Sequence, residues 1–205
     1  MKASKKLIWI SILSFVVFIL LLIKISFSNF SLDQILNSLM STIQINFLIN
    51  FSEFISVLFD TVSMIIISII IAVIFLWKHY KKESLLFIFI ILASALVSLI
   101  LKNLIERPRP INALVTETSY AFPSGHSVTA VVFFGFLIYS AFKKSKSNAL
   151  KMFTAIASVF MILLIGFTRL YLNVHWLSDI IAGLAIGLFI LTLGIILKEK
   201  NYASN

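Results

Sequence analysis

Three ionisable residues, Arg169, His175 and Asp179, lie between two long apolar runs near the end of the chain. An ionisable side chain at a membrane boundary costs free energy, so its presence there indicates a function or a partner. If a helix begins near His175, Asp179 lies on the same helical face and can hold the imidazole. This pairing is typical of a nucleophile with its orienting group, and Arg169 has the donor geometry for phosphate or carboxylate. A purely structural pair is the alternative.

A second group of cations follows the third apolar run. Lys102 ends that run, and Arg107 and Arg109 each precede a proline in the sequence ERPRP. Because proline disfavours helix at the residue before it, both arginines are expected in extended backbone, where they can converge on an anion. For Arg107, binding lipid headgroups or pairing with Glu106 and Glu117 is an equal alternative.

A Pro-Ser-Gly-His sequence at residues 123–126 precedes the fourth apolar run. A turn that opens a helix presents free backbone N–H groups at the positive end of the helix dipole, which suits an anion. Ser124 adds a hydroxyl, Gly125 permits close approach, and His126 can donate a proton to a departing oxygen. Ser124 could equally serve only as the N-cap of the helix.

Composition indicates a membrane protein. The chain has 205 residues, 60% of them hydrophobic, and no cysteine, and its mean hydropathy is +1.09. Six apolar runs approach the roughly 20 residues of a spanning helix, at 7–23, 61–77, 85–101, 128–142, 152–168 and 177–197. The sequence therefore predicts an all-α, polytopic membrane helix bundle with about six transmembrane helices. We expect residues 1–205 to form a single membrane-embedded domain, with the motif residues within 102–179.

The net charge of +9 comes from lysines that flank alternate ends of the apolar runs. By the positive-inside rule, this pattern predicts cytoplasmic termini and outward-facing loops at the other ends. Such placement argues against nucleic acid as a partner. The three polar stretches, which were not used to infer the topology, then fall together at the outer boundary of the bilayer.

Residues 31–60 lie between the first two apolar runs and repeat apolar side chains at helical spacing. This pattern predicts a helix in the outer interface that runs into the second span. A packing element over the bundle is favoured, and a substrate guide is the alternative.

Small and aromatic residues near the end of the chain give two further expectations. Gly183 and Gly187 form a GxxxG pattern, which favours close packing inside the bundle over a dimer interface and leaves the oligomeric state open. Tyr171 and Trp176 are expected in the aromatic belt at the outer membrane surface, where either could touch a lipid substrate.

In order along the chain, these stretches resemble the three motifs of the type 2 phosphatidic acid phosphatase superfamily. Lys102, six residues and then Arg109-Pro110 resemble the first motif. Pro123-Ser124-Gly125-His126 resembles the second. Arg169, five residues, His175, three residues and Asp179 resemble the third, in which Thr168 replaces the usual serine and keeps its hydroxyl.

The resemblance implies a metal-independent phosphatase that needs no cofactor. His175 would attack phosphorus and form a phosphohistidine, Asp179 would fix the tautomer of His175, and His126 would protonate the leaving oxygen. The phosphoryl oxygens would be bound by Lys102, Arg109, Ser124, Gly125 and Arg169. Arg107 lies outside the motif positions and is a lesser candidate.

The resemblance also implies a lipid phosphate as substrate, with its tail in the bilayer and its headgroup at the outer face. Undecaprenyl diphosphate is the first expectation, since Arg107 beside Arg109 mildly favours a diphosphate. Phosphatidylglycerol phosphate and phosphatidic acid are alternatives, as is a lipid phosphotransferase with the same phosphohistidine. An anion transporter is least favoured, because neither mid-membrane ionisable groups nor paired broken helices are evident.

Overall fold

The computed structural model describes residues 5–27 and 30–201, and that part of the chain is helical without β-strands. The helices of these residues are α1 (Lys5–Phe27), α2 (Ser31–Thr42), α3 (Asn46–Leu58), α4 (Thr61–Trp77), α5 (Lys81–Ile105), α6 (Gly125–Lys144), α7 (Asn148–Tyr171) and α8 (Leu177–Asn201). The all-α architecture predicted from the apolar runs is confirmed.

Within the described ranges, five helices are long and apolar enough to cross a membrane alone: α1, α5, α6, α7 and α8. α4 has 17 residues, which at about 1.5 Å per residue falls short of a hydrocarbon core of roughly 30 Å. α3 and α4 together are long enough, although they are bent by 53° relative to each other. The six predicted spans therefore correspond to five single helices and one bent pair.

α6 lies at the centre of the bundle, packed against α4, α5, α7 and α8. Its apolar side chains Val128, Val132 and Phe136 are fully buried, and Phe136 stacks on Phe87 of α5 with 4.5 Å between ring centroids. In contrast, α1, α4 and α7 expose large apolar side chains on their outer faces. A lipid-facing surface accounts for this exposure, because a water-facing one would be polar.

Two glycines of α8 allow it to lie directly against α6. A Cβ atom on Gly183 would lie 2.7 Å from the backbone oxygen of Ser124, and one on Gly187 would lie 2.7 Å from that of Val128. Real side chains do not approach so closely, so only glycine fits at these positions. The predicted packing role of the GxxxG pattern is confirmed.

The segment between the first two spans forms two helices, where one interfacial helix was expected. The helix is interrupted between α2 and α3, and Tyr171 of α7 stabilises this interruption. Its hydroxyl donates to the backbone oxygen of Ile43 and accepts from the backbone N–H of Ile45, both at 2.9 Å. Tyr171 is fully buried. Its predicted place in an aromatic belt is therefore wrong, because its hydroxyl satisfies backbone groups freed by the break.

The two ends of the bundle differ in their charged groups. At one end, Glu83 at the start of α5 pairs with Lys144 of α6 at 2.9 Å and with Lys198 of α8 at 3.1 Å. This end gathers the basic loops identified in the sequence. The end of α5, the start of α6 and the start of α8 lie at the opposite end, which carries the motif residues.

Candidate active site

The three motif stretches meet at one end of the bundle. Lys102 comes from the last turn of α5, His126 from the first turn of α6, Arg169 from the last turn of α7, and Asp179 from the first turn of α8. The backbone N–H of Ser124 donates to the backbone oxygen of Asp179 at 3.0 Å, which joins the second motif to the third. The ammonium of Lys102 donates to the backbone oxygen of Tyr120.

His175 and Asp179 form the expected pair. Nδ1 of His175 lies 3.3 Å from Oδ2 of Asp179. Because the carboxylate accepts, Nδ1 carries the proton and Nε2 keeps its lone pair. Nε2 lies 3.2 Å from Nη1 of Arg109. This is the tautomer that a nucleophilic imidazole requires.

The surroundings of His175 keep its ring neutral. The residue lies in the turn before α8 and is 2% exposed. Burial lowers the pKa of His175 well below its ordinary value, and the charges of Arg169 and Arg109 act in the same direction. A neutral ring has a free lone pair, so these effects favour nucleophilic attack from Nε2.

Asp179 is fixed on both of its oxygens. Oδ2 also accepts the backbone N–H of Trp176 at 2.9 Å, and Oδ1 pairs with Nη1 of Arg107. These contacts fix the carboxylate, which in turn fixes the His175 ring.

Arg107 lies behind this pair, with its guanidinium directed to carboxylates. Besides Asp179, it contacts Oδ2 of Asp33 at 2.7 Å and Oγ of Ser178 at 2.7 Å. Its guanidinium also lies 5.7 Å from the ring centroid of Trp176. The structure therefore gives Arg107 partners other than the Glu106 and Glu117 considered in the sequence.

Asp33 of α2 was not recognised from the sequence. It is 3% exposed, and it accepts the backbone N–H of Ser178 at 2.8 Å and the Ser178 hydroxyl at 2.6 Å in addition to Arg107. The available signal was an acid in the first turn of a short amphipathic segment. Its partners lie far along the chain, so spacing rules could not reveal them.

Lys102, Arg109, Gly125, His126 and His175 line one cavity of about 250 Å³, here named the His175 cavity. Arg109 is held at its mouth by the backbone oxygens of two other residues, donating to that of Val174 at 2.7 Å and to that of Ser119 at 2.8 Å. The cavity therefore combines two cations, the carboxylates of Asp60 and Glu117, the N-terminus of α6 and the predicted nucleophile.

A carboxylate of the connecting loop already contacts the arginines of this site. Glu117 forms an ion pair with Arg169, and its second oxygen lies 3.6 Å from Nη2 of Arg109. Burial raises the pKa of Glu117, but the charges of Arg169 and Arg109 outweigh burial and hold the pKa below its ordinary value. Glu117 thus stays ionised and places an anionic group between two cations.

His126 and Ser124 take up positions beside the cavity. Nε2 of His126 lies 3.0 Å from the backbone oxygen of Ser56 in α3, which can only accept, so Nε2 carries a proton. Ser124 is fully buried, and its hydroxyl oxygen accepts the N–H and the hydroxyl of Ser127, at 3.5 and 3.1 Å. The structure thus gives Ser124 the N-cap role that the sequence left open.

In the part of the chain that the structure describes, no group of three or more His, Asp or Glu side chains could hold a metal ion.

These features define a polytopic membrane helix bundle with a buried histidine–aspartate pair beside a cation-lined cavity. The sequence model of the PAP2 superfamily matches residues 83–203, more than half of the chain. The chain belongs to the PAP2 superfamily, as the motif resemblance predicted.

Two curated relatives resemble the chain over part of their length. Phosphatidylglycerophosphatase B of Bacillus subtilis (strain 168) is 37% identical over 130 residues, which are 60% of this chain and 64% of that protein. Lipid phosphate phosphatase delta of Arabidopsis thaliana is 30% identical over 113 residues, 49% of this chain and 27% of that protein. The alignments thus span less than two thirds of either relative.

Solved structures agree over more of the fold. The crystal structure of a transmembrane PAP2-type phosphatidylglycerolphosphate phosphatase from Bacillus subtilis superposes with a TM-score of 0.85 at 25% identity, covering 93% of this chain and 96% of that one. The structure of Aquifex aeolicus LpxE gives a TM-score of 0.65 at 21% identity, covering 82% of this chain and 98% of that one. The second likeness concerns the fold alone.

Proposed function

We propose that this protein is a metal-independent lipid phosphate phosphatase that acts on phosphatidylglycerol phosphate. The observation that carries the proposal is the carboxylate of Glu117 between Arg109 and Arg169, next to the nucleophile. A carboxylate there stands in for the oxygens of a phosphoryl group, which the same guanidinium groups can bind.

The chemistry follows from the tautomer of His175. Its Nε2 lone pair attacks phosphorus and the ester P–O bond breaks, while His126, protonated on both ring nitrogens when the phosphate is bound, gives one of these protons to the departing oxygen and becomes neutral. Water then attacks the phosphohistidine, His126 takes a proton from that water, and phosphate leaves. Lys102, Arg109 and Arg169 stabilise the charge that develops on the phosphoryl oxygens, while Glu117 is displaced.

The choice of substrate rests on two considerations. Relatives named for phosphatidylglycerophosphate match this chain in sequence and in structure, which favours the alternative over undecaprenyl diphosphate, the first expectation from the sequence. That first expectation came from the family resemblance and was mildly favoured by Arg107 beside Arg109, but the guanidinium of Arg107 is engaged by Asp33 and Asp179. Arg107 therefore lends no support to a diphosphate.

The primary test is phosphate release by detergent-purified protein in EDTA from phosphatidylglycerol phosphate, phosphatidic acid and undecaprenyl diphosphate. We expect release to be fastest from phosphatidylglycerol phosphate and absent in His175→Ala, with an acid-labile phosphoryl group on His175 of the wild type after rapid quenching. Loss of activity in EDTA that magnesium restores, or full activity of His175→Ala, would refute the mechanism. Phosphate appearing on an added lipid alcohol instead of in water would indicate phosphotransfer.

The outward position of the site, with cytoplasmic termini, is part of the same proposal and rests on the lysine distribution. The chain has no cysteine, so single cysteines report topology directly. Ile111→Cys lies in a fully exposed position of the loop after α5, and Lys146→Cys lies in the loop after α6 at the opposite end. An impermeant maleimide should label the first in intact cells and the second only after permeabilisation; the reverse pattern would overturn the topology.

A further inference from the structure

A second cavity of about 340 Å³ adjoins the His175 cavity, and we name it the α3 cavity. Its lining includes Glu53 and Ser56 of α3, together with Arg169 of α7. Asp60, Glu117 and His126 line both cavities. His126 therefore stands at the boundary between the space beside the nucleophile and the α3 cavity.

We propose that the α3 cavity is a headgroup subsite that holds the leaving group of the substrate and selects a leaving group with free hydroxyls, such as a glycerol headgroup. The inference rests on the proposed function and adds to it the recognition of the substrate. It also assigns a role to α3, which lies before the residues matched by the family model.

The position of His126 is the first argument. During the reaction the phosphoryl group lies beside Nε2 of His175, and the departing oxygen must lie within reach of His126. Since His126 lines both cavities, a phosphoryl group in the His175 cavity directs its ester oxygen toward the α3 cavity. The first atoms of the leaving group then occupy that second space.

Unpartnered polar groups are the second argument. Ser56 is 7% exposed and Arg169 is 1% exposed, and both line the α3 cavity. Oγ of Ser56 and Nε of Arg169 are two of the eight buried side-chain atoms that lack a hydrogen-bond partner among the described residues, and they are the two whose residues line this cavity. Buried polar groups normally have partners, so these two indicate a ligand with both donors and acceptors.

The charge of the lining is the third argument. Three carboxylates, those of Glu53, Asp60 and Glu117, line the cavity together with the guanidinium of Arg169 and the ring of His126. With His126 protonated for its role as the acid, the net charge of the lining is 2 − 3 = −1. Carboxylates accept hydrogen bonds from hydroxyls strongly. They repel anionic oxygens close to the departing oxygen. In a diphosphate the second phosphorus is bonded directly to that oxygen, whereas in phosphatidylglycerol phosphate the hydroxyl-bearing glycerol separates it from the phosphodiester, so the diphosphate is disfavoured there.

The outer face of α3 supplies a route for the lipid tail. Phe47 and Phe54 are 74% and 63% exposed, while Glu53 and Ser56 lie three residues apart and line the cavity. α3 is thus apolar outside and polar inside. A lipid can therefore keep its tail in the bilayer while its headgroup enters beside α3.

The test compares phosphatidylglycerol phosphate with an analogue whose free headgroup hydroxyl is replaced by hydrogen. A site that hydrogen-bonds a hydroxyl rejects an analogue lacking it. We expect kcat/KM of the wild type to favour the natural lipid by about tenfold, because a hydrogen bond to a charged group is at stake. In Glu53→Gln that preference should fall to about twofold, with kcat/KM for undecaprenyl diphosphate increased.

Two further variants complete the test. Ser56→Ala removes only the unpartnered hydroxyl, keeps the carbonyl that contacts His126, and should reduce the same preference. Glu106→Gln changes an exposed carboxylate of the neighbouring loop and should leave the preference unchanged. Equal use of both lipids by the wild type, or an unchanged ratio in Glu53→Gln and Ser56→Ala, would overturn the inference while the phosphatase activity stands. Absence of phosphate release from every lipid would instead refute the proposed function.

Discussion

Asp33→Asn tests whether the charges behind the histidine–aspartate pair matter for catalysis. Asp33 shares Arg107 with Asp179, and Arg107 reaches both carboxylates at once. An asparagine keeps the size of the side chain and retains one oxygen for the N–H of Ser178. Its amide nitrogen is a donor, however, so the contact with the guanidinium is lost. Asp179 is then the remaining carboxylate partner of Arg107, and a stronger interaction with this guanidinium weakens the hold of Asp179 on His175.

The magnitude follows from the contacts. The substitution removes the charge-assisted hydrogen bond of 2.7 Å between Asp33 and Arg107, and hydrogen bonds to charged groups contribute about 1.5–3 kcal/mol. The Ser178 hydroxyl, which donates to the same oxygen at 2.6 Å, can turn to accept from the new amide. Complete loss of partners from a buried ion pair costs about 3–5 kcal/mol, but Arg107 keeps Asp179. We therefore expect about 2 kcal/mol less stability. By analogy with carboxylates that orient metal-bound histidines, kcat should fall about 10- to 100-fold.

The assay separates orientation from general destabilisation. kcat and KM for phosphatidylglycerol phosphate are measured at a temperature well below the unfolding transition of the variant, with unfolding followed in the same detergent. Asp33 does not line either cavity, so a positioning effect lowers kcat and leaves KM within about twofold. Asp33→Glu should recover part of kcat, and Gln34→Ala, an exposed change on the same helix, should behave as wild type.

Two results would refute this reasoning. If Asp33→Asn unfolds more readily but retains the wild-type kcat when folded, Asp33 only anchors α2. If KM rises and kcat is unchanged, Asp33 affects binding of the substrate and does not orient Asp179.

Three further predictions concern the site and its packing. Glu117→Gln should lower the inhibition constant of inorganic phosphate about tenfold, because the neutral amide no longer competes with phosphate for Arg169. Glu106→Gln is the control, and equal inhibition constants in the two variants would argue against this prediction. The pKa of His175 lies well below the ordinary 6.5, so its ring stays neutral as the pH falls through 6.5. The loss of kcat/KM on the acid side of the pH profile should therefore occur below pH 6.5. A loss that begins above pH 6.5 would contradict the burial argument. Gly183→Ala should destabilise the protein by about 1–3 kcal/mol through overpacking against the backbone of α6. The control in a thermal melt is Gly166→Ala, whose added Cβ would meet only a side-chain atom. Equal melting temperatures of the two variants would contradict the prediction.

The sequence was sufficient for the helices and for the motif end of the bundle. Runs of apolar residues are long enough to predict spans, because the bilayer sets their length. The lysine pattern grouped the loops correctly, and Glu83, Lys144 and Lys198 do meet at the end opposite the motifs. The pairing of His175 with Asp179 was predicted from helical spacing, although His175 lies in the turn before α8, where Asp179 also accepts the N–H of Trp176.

Contacts between distant segments were not accessible in the same way. Asp33 and Arg107 are 74 residues apart, and no periodicity relates α2 to the loop after α5. Tyr171 illustrates a second limit: a tyrosine near a helix end suits either an interfacial belt or a buried hydroxyl contact. Only the break between α2 and α3, 126 or more residues away in sequence, decides between them.

The segment between the first two spans contributes to the site from two sides. α2 brings Asp33 to the rear of the histidine–aspartate pair, and α3 brings Glu53 and the carbonyl of Ser56 to the side of His126. Both helices precede residue 83, where the match to the PAP2 superfamily begins. In the proposed mechanism the motif residues carry out the attack on phosphorus, whereas recognition of the leaving group also uses Glu53 and Ser56, which lie outside the motifs. Substrate choice in this protein is therefore expected to change with substitutions in α3 that leave the reaction itself intact.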